Sequence, residues 1–135
     1  MIDDYIKGWL IKANKDIINI ELILNSNSIS ILTDIVCFHS QQAVEKFLKS
    51  YLIFNNIEFD RSHNLQYLRD LCARKDSIYK EFDFSILSNY SIDVRYAEDF
   101  SVPTEQEALD SYKIANDVKI FVFKQLNVTA DDLKL

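Results

Sequence analysis

This sequence predicts an all-α fold of five helices, and three observations predict it. Apolar residues recur at three- and four-residue steps over five separate segments. Glycine and proline occur once each in 135 residues, at Gly8 and Pro103, so the turn chemistry that a multi-stranded sheet needs is nearly absent. The segments are joined by short runs of Asn, Ser and Asp, residues that favour turns and helix ends.

The first helix is expected from about Asp4 to Leu24, on the stripe Ile6, Leu10, Ala13, Ile17, Ile20 and Leu24, with Asn25 to Ser28 ending it. The second runs from about Ser30 to Asn55, and the pair Asn55-Asn56 suits a left-handed stop. Its length matches the first, so the two are expected to form an antiparallel hairpin. A third, short helix covers Ser62 to Ala73 with Leu65, Leu68, Leu71 and Cys72 apolar and Asp60 or Ser62 as N-cap. Arg74 to Phe82 reads as loop or one extra helical turn. The fourth helix spans about Phe84 to Ala97, with Leu87, Tyr90, Ser91 and Val94 on one stripe, and Pro103 closes the connection. Thr104-Glu105-Gln106-Glu107 is a capping box that starts the fifth. Ala108, Tyr112, Ala115, Lys119 and Val122 share one face of that helix, with Ile114, Val118 and Phe121 beside them, an arc wide enough for two neighbours. The expected organisation is one domain over residues 1–126 and an acidic tail, 127–135, that frays.

A net charge of −6 excludes a protein that grips nucleic acid through a broad basic face. Cys37 and Cys72 stand in apolar helical contexts without a Cys-x-x-Cys pair, which points to free thiols in a reducing, cytoplasmic compartment. Asp3 and Asp4 stand where a signal peptide would be basic, and no apolar run reaches the roughly 18 residues of a membrane span, so a soluble, unprocessed protein is expected away from any membrane. Two histidines separated by 24 residues make no metal-ligand set, and a single glycine excludes a phosphate-binding P-loop.

The second helix carries the functional expectation. At 100° per residue, His39, Gln42, Glu45, Lys46 and Lys49 fall on one side, while Val36, Ala43, Val44, Phe47, Leu48 and Tyr51 fill the opposite arc. Ile35, Phe38 and Ile53 lie outside that core arc and leave apolar surface for a two-fold partner, so a homodimer is expected. Each polar residue also has a plain structural reading. His39 can pack or sit in an interface, Glu45 with Lys46 and Lys49 can form an ordinary solvated face, and His63 can cap the third helix. Arg95 can bridge to Asp99 or Glu45 with Tyr96 in the core.

The string Phe38-His39-Ser40-Gln41-Gln42-Ala43-Val44-Glu45-Lys46-Phe47-Leu48-Lys49, then His63-Asn64-Leu65, then Arg95-Tyr96, resembles the HEPN domain family (higher eukaryotes and prokaryotes nucleotide-binding). The likeness spans nearly the whole chain, from Trp9-Leu10 and the Ala13/Asp16 spacing to the alanine-bearing face of the last helix. The resemblance implies an up-and-down core of four helices with a shorter one appended, commonly dimeric. Many such prokaryotic proteins are encoded beside a minimal nucleotidyltransferase, in toxin–antitoxin or defence settings. It further implies a ligand site for a nucleotide such as ATP, or another anion, at His39, Gln42, Lys46, Lys49, His63, Arg95 and Tyr96, with no cofactor and no metal. Ribonuclease members carry Arg followed four to six residues later by His. After Arg95 come Tyr96, Ala97, Glu98, Asp99, Phe100 and Ser101, and His63 follows Arg61 by only two positions, so that motif is missing. A non-catalytic module binding nucleotide or a partner nucleotidyltransferase is therefore expected ahead of RNA cleavage. A divergent ribonuclease using His39 or His63 with Arg95 is the alternative.

Overall fold

The computed structural model describes residues 2–87 and 102–134. Among them stand four α-helices and no strand: α1 (Asp4–Asn25), α2 (Thr33–Phe54), α3 (Leu65–Lys75) and α4 (Glu105–Leu126), with 3-10 turns at Ile29–Ile31, Ser77–Glu81 and Ala130–Leu133. The all-α expectation holds, and α4 is the fifth of the expected helices. The helix expected over Phe84 to Ala97 falls mostly outside the described residues, and Arg95 and Tyr96 lie there with it.

Local chemistry sets the boundaries. Asp3 caps α1, its Oδ1 accepting the Ile6 N–H at 2.9 Å. The capping box of α4 is present in both halves, Thr104 on the Glu107 amide and Glu107 on the Thr104 amide. Asn27, Asn56 and Asn127 all have positive φ (61°, 56° and 55°). In a chain with one glycine, asparagine takes the left-handed positions, because its short polar side chain tolerates that conformation best after glycine. Two of these stops share a geometry: Ile57 N–H bonds Leu52 O, and Val128 N–H bonds Phe123 O, both at 2.9 Å, each with an apolar residue folded back onto the helix it leaves.

Three local expectations need correction. The N-cap of α3 is Asn64, not Asp60 or Ser62: its Oδ1 accepts the Tyr67 N–H at 3.0 Å, while Ser62 Oγ accepts the Asn64 N–H. The apolar stripe begins at Leu65, so the extended residue just before it holds the capping position. Residues 29–31 form a separate 3-10 turn, and α2 starts only at Thr33. The tail does not fray through its length, since Val128 and Leu133 are buried and a 3-10 turn spans Ala130–Leu133. Arg74 to Phe82, left between loop and helix by the sequence, contains the 3-10 turn Ser77–Glu81.

Packing is organised around α2. α1 runs antiparallel to it, Asp16 meeting His39 and Trp9 lying beside Lys49. α4 runs parallel to it, since Ser111 Oγ donates to Cys37 Sγ at 3.6 Å and Phe47 meets Phe123 edge-on at 6.0 Å. From a third side Cys72 Sγ donates to Leu48 O at 3.7 Å. Leu10, Ile17, Ile20, Val36, Val44, Phe47, Leu48, Val118 and Val122 are fully buried, each contributing about 1.5–3 kcal/mol of apolar transfer. Because neighbours surround α2, fifteen of its 22 residues are buried, and these include Gln41, Gln42, Glu45 and Lys49. Much of its polar side is enclosed too, with His39 and Lys46 left partly exposed.

Candidate functional site

The antiparallel α1–α2 pairing carries an acid to the polar face of α2. Asp16 lies on the same α1 ridge as Ala13, Ile17 and Ile20, where an uncompensated charge would be costly, and it is 7% exposed. Its two oxygens are both engaged: Oδ1 with His39 Nδ1 at 2.8 Å, Oδ2 with Lys46 Nζ at 2.7 Å. These bonds join residues 23 and 30 positions apart, so they exist only because the hairpin forms.

One turn further round α2, Glu45 repeats the arrangement. Its Oε1 meets His63 Nδ1 at 2.9 Å and accepts from Gln41 Nε2 at 3.3 Å, and its Oε2 accepts from Lys49 Nζ at 3.1 Å. Gln42 Nε2 donates to Gln41 Oε1 at 2.6 Å, and Gln41 Nε2 also reaches His63 O at 3.4 Å. Both carboxylates thus hold one imidazole with one oxygen and one ammonium with the other. A carboxylate only accepts hydrogen bonds, so each Nδ1 carries its proton, and neither Nε2 has a hydrogen-bond partner among the described residues.

The two centres differ in access. His39 and Lys46 are about a quarter exposed, and the His63 side chain is 43% exposed. Lys49 is 7% exposed, and its ammonium lies 5.9 Å from the ring centroids of both Trp9 and Phe59. Among the described residues of the two centres, two lysines balance two carboxylates.

Of the residues expected at a ligand site, His39 and Lys46 share Asp16, whereas His63 and Lys49 share Glu45. Gln42 sits between the centres. Glu45, Lys46 and Lys49 do not form the solvated face of the plain reading. Lys49 does pair within the helix, but in a buried setting, and Lys46 pairs across to α1. His63 packs onto Glu45 and leaves capping of α3 to Asn64. Arg95 and Tyr96 lie outside the described residues. Sequence reading missed Asp16 and Gln41 as members of the site. The available signal for Asp16 was a lone acid within an apolar ridge.

Other titratable groups serve the frame. Tyr112 OH donates to Glu21 Oε2 at 2.7 Å, tying α4 to α1, and burial with the adjacent carboxylate pushes its phenol up to about 12. Among the described residues no cluster of three or more His, Cys, Asp or Glu is placed to hold a metal ion, and no helix is long and apolar enough to cross a membrane.

A helical module with two imidazoles set by buried carboxylates, one from α1 and one from the central helix α2, is the class these features define. The HEPN domain family model matches residues 6–126, and the chain belongs to that family. Compared with curated proteins and with solved structures, the chain has no match.

Proposed function

We propose that the protein is a non-catalytic HEPN module, a cytoplasmic homodimer that binds a nucleotide such as ATP on the polar face of α2 and acts with a minimal nucleotidyltransferase. The observation that carries this reading is the pair of matched centres, Asp16 with His39 and Lys46, and Glu45 with His63 and Lys49. Buried carboxylates hold two imidazoles through Nδ1, and Lys46 has N–H donors beyond the one directed at Asp16. Together these supply donors for phosphate oxygens with little ordering left to do on binding. Gln42 and Lys49 serve as the frame.

Calorimetry with ATP tests the reading. Binding that weakens with salt is expected, and Lys46→Ala should cost about 1–3 kcal/mol of affinity, the range for losing a charged hydrogen bond. Equal binding by wild type and Lys46→Ala would remove Lys46 from the site. Light scattering after size exclusion tests the dimer, and a protomer mass throughout the accessible concentration range would refute it.

One observation favours a second reading, a divergent ribonuclease. An imidazole held through Nδ1 by a carboxylate, with no partner for Nε2 among the described residues, is an arrangement suited to moving a proton. Incubation with tRNA and total RNA separates the two. Absent or marginal cleavage is expected, because the Arg-to-His spacing of ribonuclease members is missing. Metal-independent cleavage lost in His39→Ala would promote the second reading.

A further inference from the structure

Trp9 belongs to the same α1 ridge as Asp16, seven residues and therefore two turns away, a distance of about 10 Å along the helix. Across from it, Phe59 comes from the connection between α2 and α3. The two rings flank one point, the Lys49 ammonium, at 5.9 Å each. Lys49 is 7% exposed, and its ammonium is held by Glu45 at 3.1 Å. Both rings remain partly exposed although they cover a buried charge. A fixed cation behind two half-open aromatic rings polarises them and holds them still, and each ring keeps a surface toward solvent.

We infer that Trp9 and Phe59 are the base-binding end of the α1–α2 face, so that the ligand is a nucleoside polyphosphate with its phosphates at His39 and Lys46 and its base against these rings. The inference rests on the phosphate reading above. It deepens that reading through the spacing, because Trp9 and Asp16 stand two turns, about 10 Å, apart along α1, a span that an extended nucleoside triphosphate can bridge. Free phosphate would engage only one end. Base–aromatic stacking tolerates any base and strengthens with ring area, so purines should bind ahead of pyrimidines.

Trp9 is the only tryptophan, so intrinsic emission of the full-length wild-type protein reports directly on this end of the site. The probes are ATP and inorganic tripolyphosphate, with Phe59→Leu as the variant, which keeps an apolar side chain and removes the ring. ATP should shift or quench Trp9 emission and bind roughly ten-fold or more tighter than tripolyphosphate, an advantage that Phe59→Leu reduces while tripolyphosphate binding is unchanged. ATP and tripolyphosphate binding alike, with Trp9 emission unmoved, would overturn the base site and leave the phosphate reading standing. Binding of neither would overturn both. The wild-type comparison decides the matter even if Phe59→Leu fails to fold.

Discussion

On one side of α2, Phe47 is fully buried and meets Phe123 edge-on, with Val44, Leu48 and Val36 around it. On the other, Glu45 and Lys49 are 4% and 7% exposed and meet at 3.1 Å. Burial is nearly equal and the chemistry is opposite. The apolar side is stabilised by transfer and close packing, which tolerate rearrangement as long as volume is kept. The polar side gains little net stability, because desolvation offsets attraction, yet it cannot lose one partner without stranding the other. What this face does fix, to within hydrogen-bond geometry, is the position of two imidazoles.

The largest expected effects break the comparison at single residues. Phe47→Ala should cost about 3–5 kcal/mol through a core cavity. Glu45→Ala should cost about 3–5 kcal/mol, because the buried Lys49 loses its carboxylate, and Asp16→Ala should cost less, because Lys46 is partly exposed and can turn to water. Urea denaturation measures all three. The polar side then separates from the apolar side in a double variant. Glu45→Leu with Lys49→Leu removes both charges, so it should recover most of the Glu45→Ala loss even as His63 is released. A double variant no more stable than Glu45→Ala would show that the pair stabilises the fold in its own right.

A smaller gain is expected away from both faces. Gly8 lies inside α1, and a Cβ added there meets nothing within 4 Å. Gly8→Ala should therefore raise stability by about 0.5–1 kcal/mol through backbone entropy alone, a value thermal unfolding can read. Loss of stability would mean that Gly8 serves a contact in an assembled form.

The acidic limb of the stability profile should carry a modest signature. The Gln125 amide, then the Ile78 N–H, hold the Asp76 carboxyl below its ordinary 3.8. A depressed folded value gives stability that is present above 3.8 and lost as pH falls through the folded value. Asp76→Asn should flatten unfolding midpoints between pH 4 and 2, and an unchanged slope would remove that contribution. The smallest effect is chemical: burial pushes the Cys72 thiol up to about 12, so native protein at pH 8 should leave it unreacted with a disulfide reagent until urea exposes it.

Most of the fold was legible because helix period, capping and stop residues are local signals. Thr104 with Glu107 and the Asn55-Asn56 stop could each be read within a few positions, whereas the Asp3 cap of α1 was not read. The 3-10 turn before Thr33 and the Asn64 cap were not, since each is a choice between adjacent polar residues that only the packed chain makes. Half of the site was legible for the same reason: His39, Gln42, Glu45, Lys46 and Lys49 share a helix face. Their burial was not, because it depends on α1 and the 55–64 connection closing over them. Asp16, read only as part of the Ala13/Asp16 spacing, was not assigned to the site because its partners lie 23 and 30 residues away. Gln41, fully buried, falls on the edge of the apolar arc, where angle alone gives it no role.

The account rests on two imidazoles held through Nδ1, with Nε2 the nitrogen offered to a ligand. Long-range proton–nitrogen correlation spectra of the two histidine rings test this directly, recorded where the rings are neutral and again after adding ATP. Both His39 and His63 should be protonated at Nδ1, and their Nε2 resonances should move on addition of ATP while the Nδ1 bonds persist. Protonation at Nε2 in either ring, or Nε2 resonances that ATP leaves in place, would contradict the account.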